Sequence, residues 1–259
     1  MKNLLIICAL LTSLNSFSTS CVMCTSDGMY VYTSNENISL NEMIILEGYA
    51  NSQKTINSLS KRNVFLISKS DKVLLIHKGS FVGGFRLTQA LFVPSRLLKP
   101  NTTYFLEFEN QTKEETQLLK IWNRKKKTHE KISFRTSSNK TTENKYPKTK
   151  FKFKNSNHTM FGCGPAIYAN FTILNPIKKK SIYKIELYDL TTNKITTYYQ
   201  SNLQNEISIG HGMCSGAFNF IAGNKYKVRF TPMSSSGKLK KPSDWNTFKN
   251  PYKDIKNRW

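Results

Sequence analysis

The sequence predicts an all-β protein in which two β-sandwiches follow an N-terminal signal peptide. Short runs rich in β-branched and aromatic residues recur along the chain, and many alternate apolar with polar positions. Clusters of Asn, Ser, Gly and Pro separate these runs, as turns do. A polar stretch at 137–150 divides the runs into two groups. With 259 residues, of which 39% are hydrophobic, the chain can build a core in each group.

Residues 1–20 are typical of an export signal. Lys2 supplies a positive charge, residues 4–11 are an unbroken apolar run, and small residues follow as a cleavage site. The apolar run is too short to span a bilayer, which needs about 20 residues, and no later segment comes close to that length. We therefore expect a bacterial protein that is secreted or resides in the cell envelope.

Four cysteines remain after signal removal, an even number that favours disulfides in an exported protein. Cys163 and Cys214 bracket one block of predicted strands, so we predict that they pair, which is worth about 4 kcal/mol in the chain-entropy model. Cys21 and Cys24 form a second candidate pair. As an alternative, Cys21 carries a bacterial lipid anchor, although Ser18 replaces the bulky aliphatic residue usual three positions before such a cysteine.

The first sandwich is predicted at 21–136. Its expected strands are 29–33, 43–48, 63–68, 72–77, 85–93, 103–108 and 131–135. In the clearest alternation, Tyr104, Leu106 and Phe108 face the core. Residues 111–128 fit either one or two helical turns or an excursion at the sheet edge, and the sequence does not decide between them.

One stretch of this first sandwich resembles a known class of domain. Residues 97–108, LLKPNTTYFLEF, resemble the L-x-P-N-T-x-Y-x-L turn and strand of bacterial Ig-like and fibronectin-III-like domains, and ISFRT at 132–136 looks like their F-x-T closing strand. The resemblance implies that Pro100 and Asn101 form the turn and that Tyr104 packs at the corner of an Ig-like sandwich. It implies no catalytic residue.

The second sandwich is predicted at 151–235, after the polar linker 137–150. Its expected strands are 166–174, 181–188, 194–199, 206–209, 217–221 and 225–230. The motif around Asn224 echoes the one around Asn101, as if a related sandwich followed the first. Residues 236–259 form a basic tail whose aromatic side chains we expect to pack against the body of the protein.

The formal charge of +23 draws the chain towards polyanions. Its lysines are spread along the whole length, which favours solubility and loose polyanion affinity over a defined site. We expect an envelope polysaccharide, another polyanion or a partner protein as the binding partner. Export argues against nucleic acid as the natural ligand, and we expect membrane contact only through a lipid anchor on Cys21.

The strongest catalytic motif is Gly212-Met-Cys214-Ser-Gly216, which fits a nucleophile elbow. Such an elbow needs a helix after the nucleophile and a histidine to accept its proton, but strands follow Cys214 and no histidine does. His211 is too poorly supported by other ligands to predict a metal site. The Cys21-x-x-Cys24 motif lacks the strand and helix that flank it in thioredoxin-like enzymes.

These observations predict a non-catalytic binding or scaffolding protein without catalytic residues, metal or cofactor. The alternative is an envelope thiol, redox or hydrolytic enzyme that uses Cys214 with His211, or Cys21 with Cys24. The two classes differ in the state of the thiols.

Overall fold

A computed structural model describes residues 24–33, 37–124, 126–138, 149–175 and 181–254. Most of these residues lie in β-strands, which confirms the predicted all-β fold class. Across these ranges, no helix combines the length and the apolar character needed to cross a membrane. The predicted signal peptide at 1–20 and Cys21 lie outside the described residues.

The first half of the chain forms one folded-over sheet and a separate two-stranded hairpin. Its strands are β1 (Asp27–Tyr32), β2 (Asn37–Ile38), β3 (Ile44–Ala50), β4 (Val64–Ser68), β5 (Asp71–Val82), β6 (Leu87–Pro94), β7 (Thr103–Phe108), β8 (Lys120–Asn123), β9 (Thr128–Lys131) and β10 (Ser133–Thr136). A short helix, Gln53–Ser58, and a 3-10 turn, Leu59–Lys61, follow β3. Eight strands join in the order β1-β3-β6-β5-β4-β7-β10-β2, in which the β10–β2 pair is parallel.

The long strand β5 turns this single sheet into a sandwich. Its residues 71–75 pair with β4, while residues 75–82 pair with β6. The register shifts between His77 and Gly79, and a bulge of this kind bends a strand. The two layers enclose a core that includes Ile44, Leu66 and Tyr104, all of which are fully buried.

The second half of the chain forms a sandwich from two separate sheets. Its strands are β11 (Phe151–Phe161), β12 (Gly164–Ile173), β13 (Ile182–Asp189), β14 (Lys194–Ser201), β15 (Glu206–His211), β16 (Tyr226–Met233) and β17 (Asn246–Phe248). One sheet has the order β11-β12-β15 and the other β14-β13-β16-β17. This three-plus-four arrangement is that of a seven-stranded Ig-like sandwich. Aromatic rings fill its core, where Phe151 stacks on Phe230 with centroids 4.3 Å apart.

Equivalent tyrosines fix one corner in each sandwich. The Tyr104 hydroxyl accepts a hydrogen bond from the Lys99 backbone N–H at 3.0 Å. The Tyr226 hydroxyl accepts one from the Ile221 N–H at 2.8 Å. Each tyrosine stands at or next to the start of its strand and reaches back five residues, as in the tyrosine corner of immunoglobulin-type sandwiches. The Asn101 backbone has a φ of 51°, a conformation that asparagine tolerates in turns.

The predicted strand at 217–221 is wrong. Phe218 and Phe220 are buried in the second core, as their alternation suggests. Their backbone forms no strand because the neighbouring groups bond to the first sandwich, with Gly84 N–H donating to the Ala217 carbonyl at 2.8 Å. The sequence analysis did not predict β11, because most residues of this edge strand are polar. It did not predict β17, because that strand is only three residues long.

Residues 111–128 contain both of the expected alternatives. Thr112 caps a helix, Lys113–Leu118, in a reciprocal capping box with Glu115. Glu115 also forms a bidentate ion pair with Arg62, with nitrogen–oxygen distances of 2.7 and 2.9 Å. The antiparallel hairpin β8–β9 follows the helix.

The predicted aromatic tail is partly built into the second sandwich. Phe248 and Tyr252 pack against its core. Two cationic groups lie over the Trp245 ring, with Lys227 Nζ 4.9 Å and Arg229 Cζ 4.6 Å from its centroid. A 3-10 turn, Pro251–Asp254, ends the described part of the chain. Most of the predicted linker, residues 139–148, lies outside the described residues, as does 255–259.

Candidate functional site

The two sandwiches pack directly against each other. Strand β3 is buried along nearly its whole length, because Ile44 and Leu46 face the first core while Ile45 and Glu47 face the second sandwich. An antiparallel strand at a sandwich surface ordinarily leaves one face in water. The apolar cluster at this contact consists of Met43, Ile45, Leu91, Ile182, Tyr199 and Met233. Burial of both faces of β3 explains the unbroken MIIL run in the sequence.

Gln89 on β6 attaches the two sandwiches through backbone groups. Its side chain is fully buried, accepts a hydrogen bond from Tyr199 N–H at 2.7 Å and donates one to the Tyr199 carbonyl at 3.1 Å. Tyr199 lies on β14, which is an edge strand of its sheet. The amide therefore satisfies backbone groups that an edge strand otherwise leaves open to another chain.

Glu47 lies beside this contact and receives hydrogen bonds from both halves of the chain. Tyr32 of the first sandwich donates to one carboxylate oxygen at 2.8 Å, and Tyr198 of the second donates to the other at 2.7 Å. Burial raises the pKa of Glu47, and the tyrosine hydrogen bonds act against that rise. Burial and the adjacent carboxylate likewise raise the pKa values of Tyr32 and Tyr198, so both hydroxyls remain protonated donors.

Backbone pairing extends the contact around the loop after β15. Phe85 and Gly216 form an antiparallel bridge, with N–H to carbonyl distances of 2.9 and 2.8 Å. Gly84 lies so close to the second sandwich that a Cβ added there would be 2.5 Å from the Asn219 nitrogen. The Gly-rich loop that suggested a nucleophile elbow is therefore a docking element between the sandwiches.

A disulfide joins Cys24 to Cys214, with Cα atoms 5.6 Å apart. The predicted pairing of Cys163 with Cys214 and the candidate pairing of Cys21 with Cys24 are both wrong, because Cys24 and Cys214 are bonded to each other. Instead of stapling the second sandwich internally, Cys214 is linked to the segment just before β1 of the first sandwich. Docking decides this pairing, because the Phe85–Gly216 contact brings the 212–216 loop to the first half of the chain. Cys163 is disulfide-bonded as well, but not to Cys214.

This disulfide also bears on the alternative thiol chemistry. Neither Cys214 nor Cys24 has a free sulfur in the structure, so neither the Cys214–His211 pair nor a Cys21–Cys24 dithiol is present in it. His211 is 7% exposed, its Nδ1 is bonded to the Gly212 carbonyl at 2.9 Å, and its ring packs edge-on against Phe85. Within the described ranges no three His, Cys, Asp or Glu side chains converge as a metal site.

A cleft of about 270 Å³ opens between the sandwiches beside Glu47. Its polar side chains are hydroxyls, one amide and one carboxylate, and no Lys, Arg or His is among the described residues that line it. The polar residues are Tyr32, Thr33, Glu47, Tyr168, Tyr199, Gln200, Ser201 and Ser215. The Oε1 atom of Gln200 is buried and accepts no hydrogen bond from the described residues.

Sequence reasoning missed this cleft because its residues come from both halves of the chain. None of Pro100, Asn101, Tyr104 or Cys163 lines it, and Cys214 contributes only through its neighbour Ser215. One local signal was present, the Glu at position 47 within an otherwise apolar run. An isolated charge in such a run indicates a buried partner or a site.

No family model and no curated protein matches the sequence. Among solved structures, the chain is similar to pullulanase type I from Bacillus subtilis str. 168 complexed with maltose, at 8% identity and a TM-score of 0.27 over 86% of this chain. A DUF3823 family protein from Parabacteroides merdae ATCC 43184 aligns with 87% of this chain and all of its own, at 15% identity and a TM-score of 0.22. The chain spans about a quarter of the pullulanase. TM-scores this low carry no argument about function.

Proposed function

We propose that the protein is a non-catalytic, exported binding protein of a bacterial envelope, and that the cleft between its sandwiches binds a neutral polyhydroxy unit of an envelope polysaccharide. The observation that carries the proposal is the lining of the cleft. Hydroxyl groups, an amide with a free acceptor and tyrosine rings surround the space, without a cation among the described lining residues.

This composition favours a sugar over an anion at the cleft. Each sugar hydroxyl is both a donor and an acceptor, so it can donate to Gln200 Oε1 and accept from serine or threonine hydroxyls. The C–H faces of a sugar ring pack on aromatic rings such as that of Tyr168. At about 270 Å³ the cleft is slightly smaller than a typical ligand pocket of roughly 300–1,000 Å³, which suits a single sugar residue.

The proposed absence of catalysis is supported by the two reactive groups at the cleft, a carboxylate and a sulfur, because both already have bonding partners within the protein. The Glu47 carboxylate already accepts hydrogen bonds from two tyrosines on both of its oxygens. The sulfur of Cys214, beside Ser215 in the cleft wall, is bonded to Cys24. The net charge of +23 supports loose attraction to polyanions elsewhere on the surface, as a second mode of envelope contact.

The test is titration of the full mature chain with neutral oligosaccharides, followed by ligand-observed NMR and calorimetry. Gln200→Ala removes the free acceptor and should weaken binding about fivefold to tenfold, as expected for one hydrogen bond. Gln117→Ala, an exposed glutamine on the Lys113–Leu118 helix, is the matched control and should leave affinity unchanged.

Two results would overturn the proposal. One is equal binding by the Gln200→Ala and Gln117→Ala variants. The other is saturable turnover of an ester, glycoside or peptide that is lost on Cys214→Ser, which would favour the enzyme alternative.

A further inference from the structure

A second groove lies at the seam of the two sandwiches and shares Tyr199 with the cleft beside Glu47. Its volume is about 480 Å³, within the range of ligand pockets. The floor is apolar and belongs to the cluster between the sandwiches, with Met43, Leu91 and Tyr199 all less than 10% exposed. Phe81, Val93 and Leu239 complete the apolar wall.

The charges at this groove are of one sign. Lys78 from β5 and Lys238 from the turn after β16 line it, and no Asp or Glu is among the described residues that do so. Both lysines are exposed residues of the groove lining. The groove therefore combines apolar lining residues with two cationic ones.

Hydrogen bonds hold the wall that carries Lys238 in one conformation. Ser234 N–H donates to the Lys238 carbonyl at 2.9 Å, and Lys238 N–H donates to Ser234 Oγ at 3.0 Å. Gly237 has a φ of 86° and packs so tightly on Met43 that an added Cβ would meet its side chain. Met43 N–H in turn donates to the Ser235 carbonyl at 2.7 Å, which ties this turn to the first sandwich.

We propose that this groove binds an amphipathic anion, an acyl chain with a carboxylate or phosphate head group. The chain would bury against Phe81, Val93 and Leu239, whose side chains are partly exposed, and that contact supplies the hydrophobic gain. The head group would lie between Lys78 and Lys238, whose ammonium groups form charge-assisted hydrogen bonds with anionic oxygens. The same chemistry occurs in a free fatty acid and in a membrane lipid.

Calorimetric titration of the full mature chain with decanoate tests the proposal, at about 150 mM salt so that long-range attraction to the basic protein is screened. Decanoate should bind with 1:1 stoichiometry and at least about tenfold more tightly than decylammonium, which has the same chain and the opposite charge. Vesicles of phosphatidylglycerol, in a parallel arm, distinguish a membrane lipid from a free acid as the source.

Matched variants separate the groove from the general basicity of the protein. Lys238→Glu should weaken decanoate binding about tenfold or more, and Leu239→Ser should also weaken it. Lys194→Glu and Leu190→Ser change residues outside the groove, Leu190 being 39% exposed against 41% for Leu239, and should have no effect. Vesicle binding counts in favour only if the groove variants reduce it and the controls do not.

The proposal fails if decanoate and decylammonium bind equally, if Lys194→Glu weakens binding as much as Lys238→Glu, or if neither decanoate nor vesicles bind. Because Gln200 and Lys238 line different spaces, failure here leaves the sugar proposal standing, and the reverse is also true.

Discussion

Glu47 ties the two sandwiches together through a single buried carboxylate. Removing such a group from water is costly, and hydrogen bonds from Tyr32 and Tyr198 offset part of that cost. If Tyr198 were absent, one carboxylate oxygen would lose its partner from the second sandwich. The side chain therefore contributes specificity to the docking of the halves, because only this relative position supplies both donors.

The raised pKa of Glu47 predicts a pH-dependent stability. Between the ordinary carboxyl pKa of about 4.3 and the raised folded-state value, the folded protein holds a proton that the unfolded chain has lost. The contribution of Glu47 to stability is therefore greatest below that window and falls as the pH rises through it.

Glu47→Gln cannot ionise, so the variant should gain stability relative to the parent protein as the pH rises from 4 towards neutrality. Urea unfolding at a series of pH values measures the difference. Glu107→Gln, at an exposed position on β7, is the control for the loss of one carboxylate. A pH-independent difference for Glu47→Gln would contradict the assignment of this carboxylate.

Strands β7 and β16 begin with the same local feature, a tyrosine corner, one in each sandwich. Each carries a tyrosine at or next to its start, and each tyrosine hydroxyl accepts from a backbone N–H five residues upstream. Tyr104 has a second role, since its hydroxyl donates to Asp71 at 2.5 Å. The corner therefore fixes the direction in which the chain enters the strand, independently of the rest of the sheet.

Tyr104→Phe and Tyr226→Phe should each lower the free energy of unfolding by about 0.5–1.5 kcal/mol, because each removes the acceptor of a backbone N–H. We expect the larger loss for Tyr104→Phe, which also removes one of the donors to the Asp71 carboxylate and leaves it paired with Arg96. Tyr30→Phe changes a half-exposed tyrosine on β1 and should be close to neutral. If both corner variants matched Tyr30→Phe in urea unfolding, the hydroxyls would have no structural role.

At the scale of the whole molecule, the Cys24–Cys214 disulfide closes a loop of 190 residues across both sandwiches. In the chain-entropy model, a loop of that length is worth about 5 kcal/mol. The apolar cluster, the Gln89 bonds and the Phe85–Gly216 bridge already hold the same interface. The disulfide therefore reinforces a contact that packing has selected.

The double variant Cys24→Ser/Cys214→Ser should fold with the same interface but unfold about 2–5 kcal/mol more easily. Chemical denaturation under non-reducing conditions measures the loss. Peptide mapping without reduction should find Cys24 linked to Cys214, and a Cys163–Cys214 link would contradict the structure. The same map identifies the partner of Cys163. If that partner is Cys21, its sulfur is unavailable for a lipid anchor.

The sequence by itself determined the fold class and most strand positions, because apolar alternation and turn residues act over a few positions along the chain. It also located the Tyr104 corner and the echo of that corner at Tyr226. Only the tertiary structure decided that Cys214 pairs with Cys24, that the Gln89 side chain hydrogen-bonds the backbone of the edge strand β14, and that residues 217–221 do not form a strand. Each of these features depends on contact between two surfaces that are far apart in the sequence. A local sequence pattern does not indicate which strand face the other sandwich will cover.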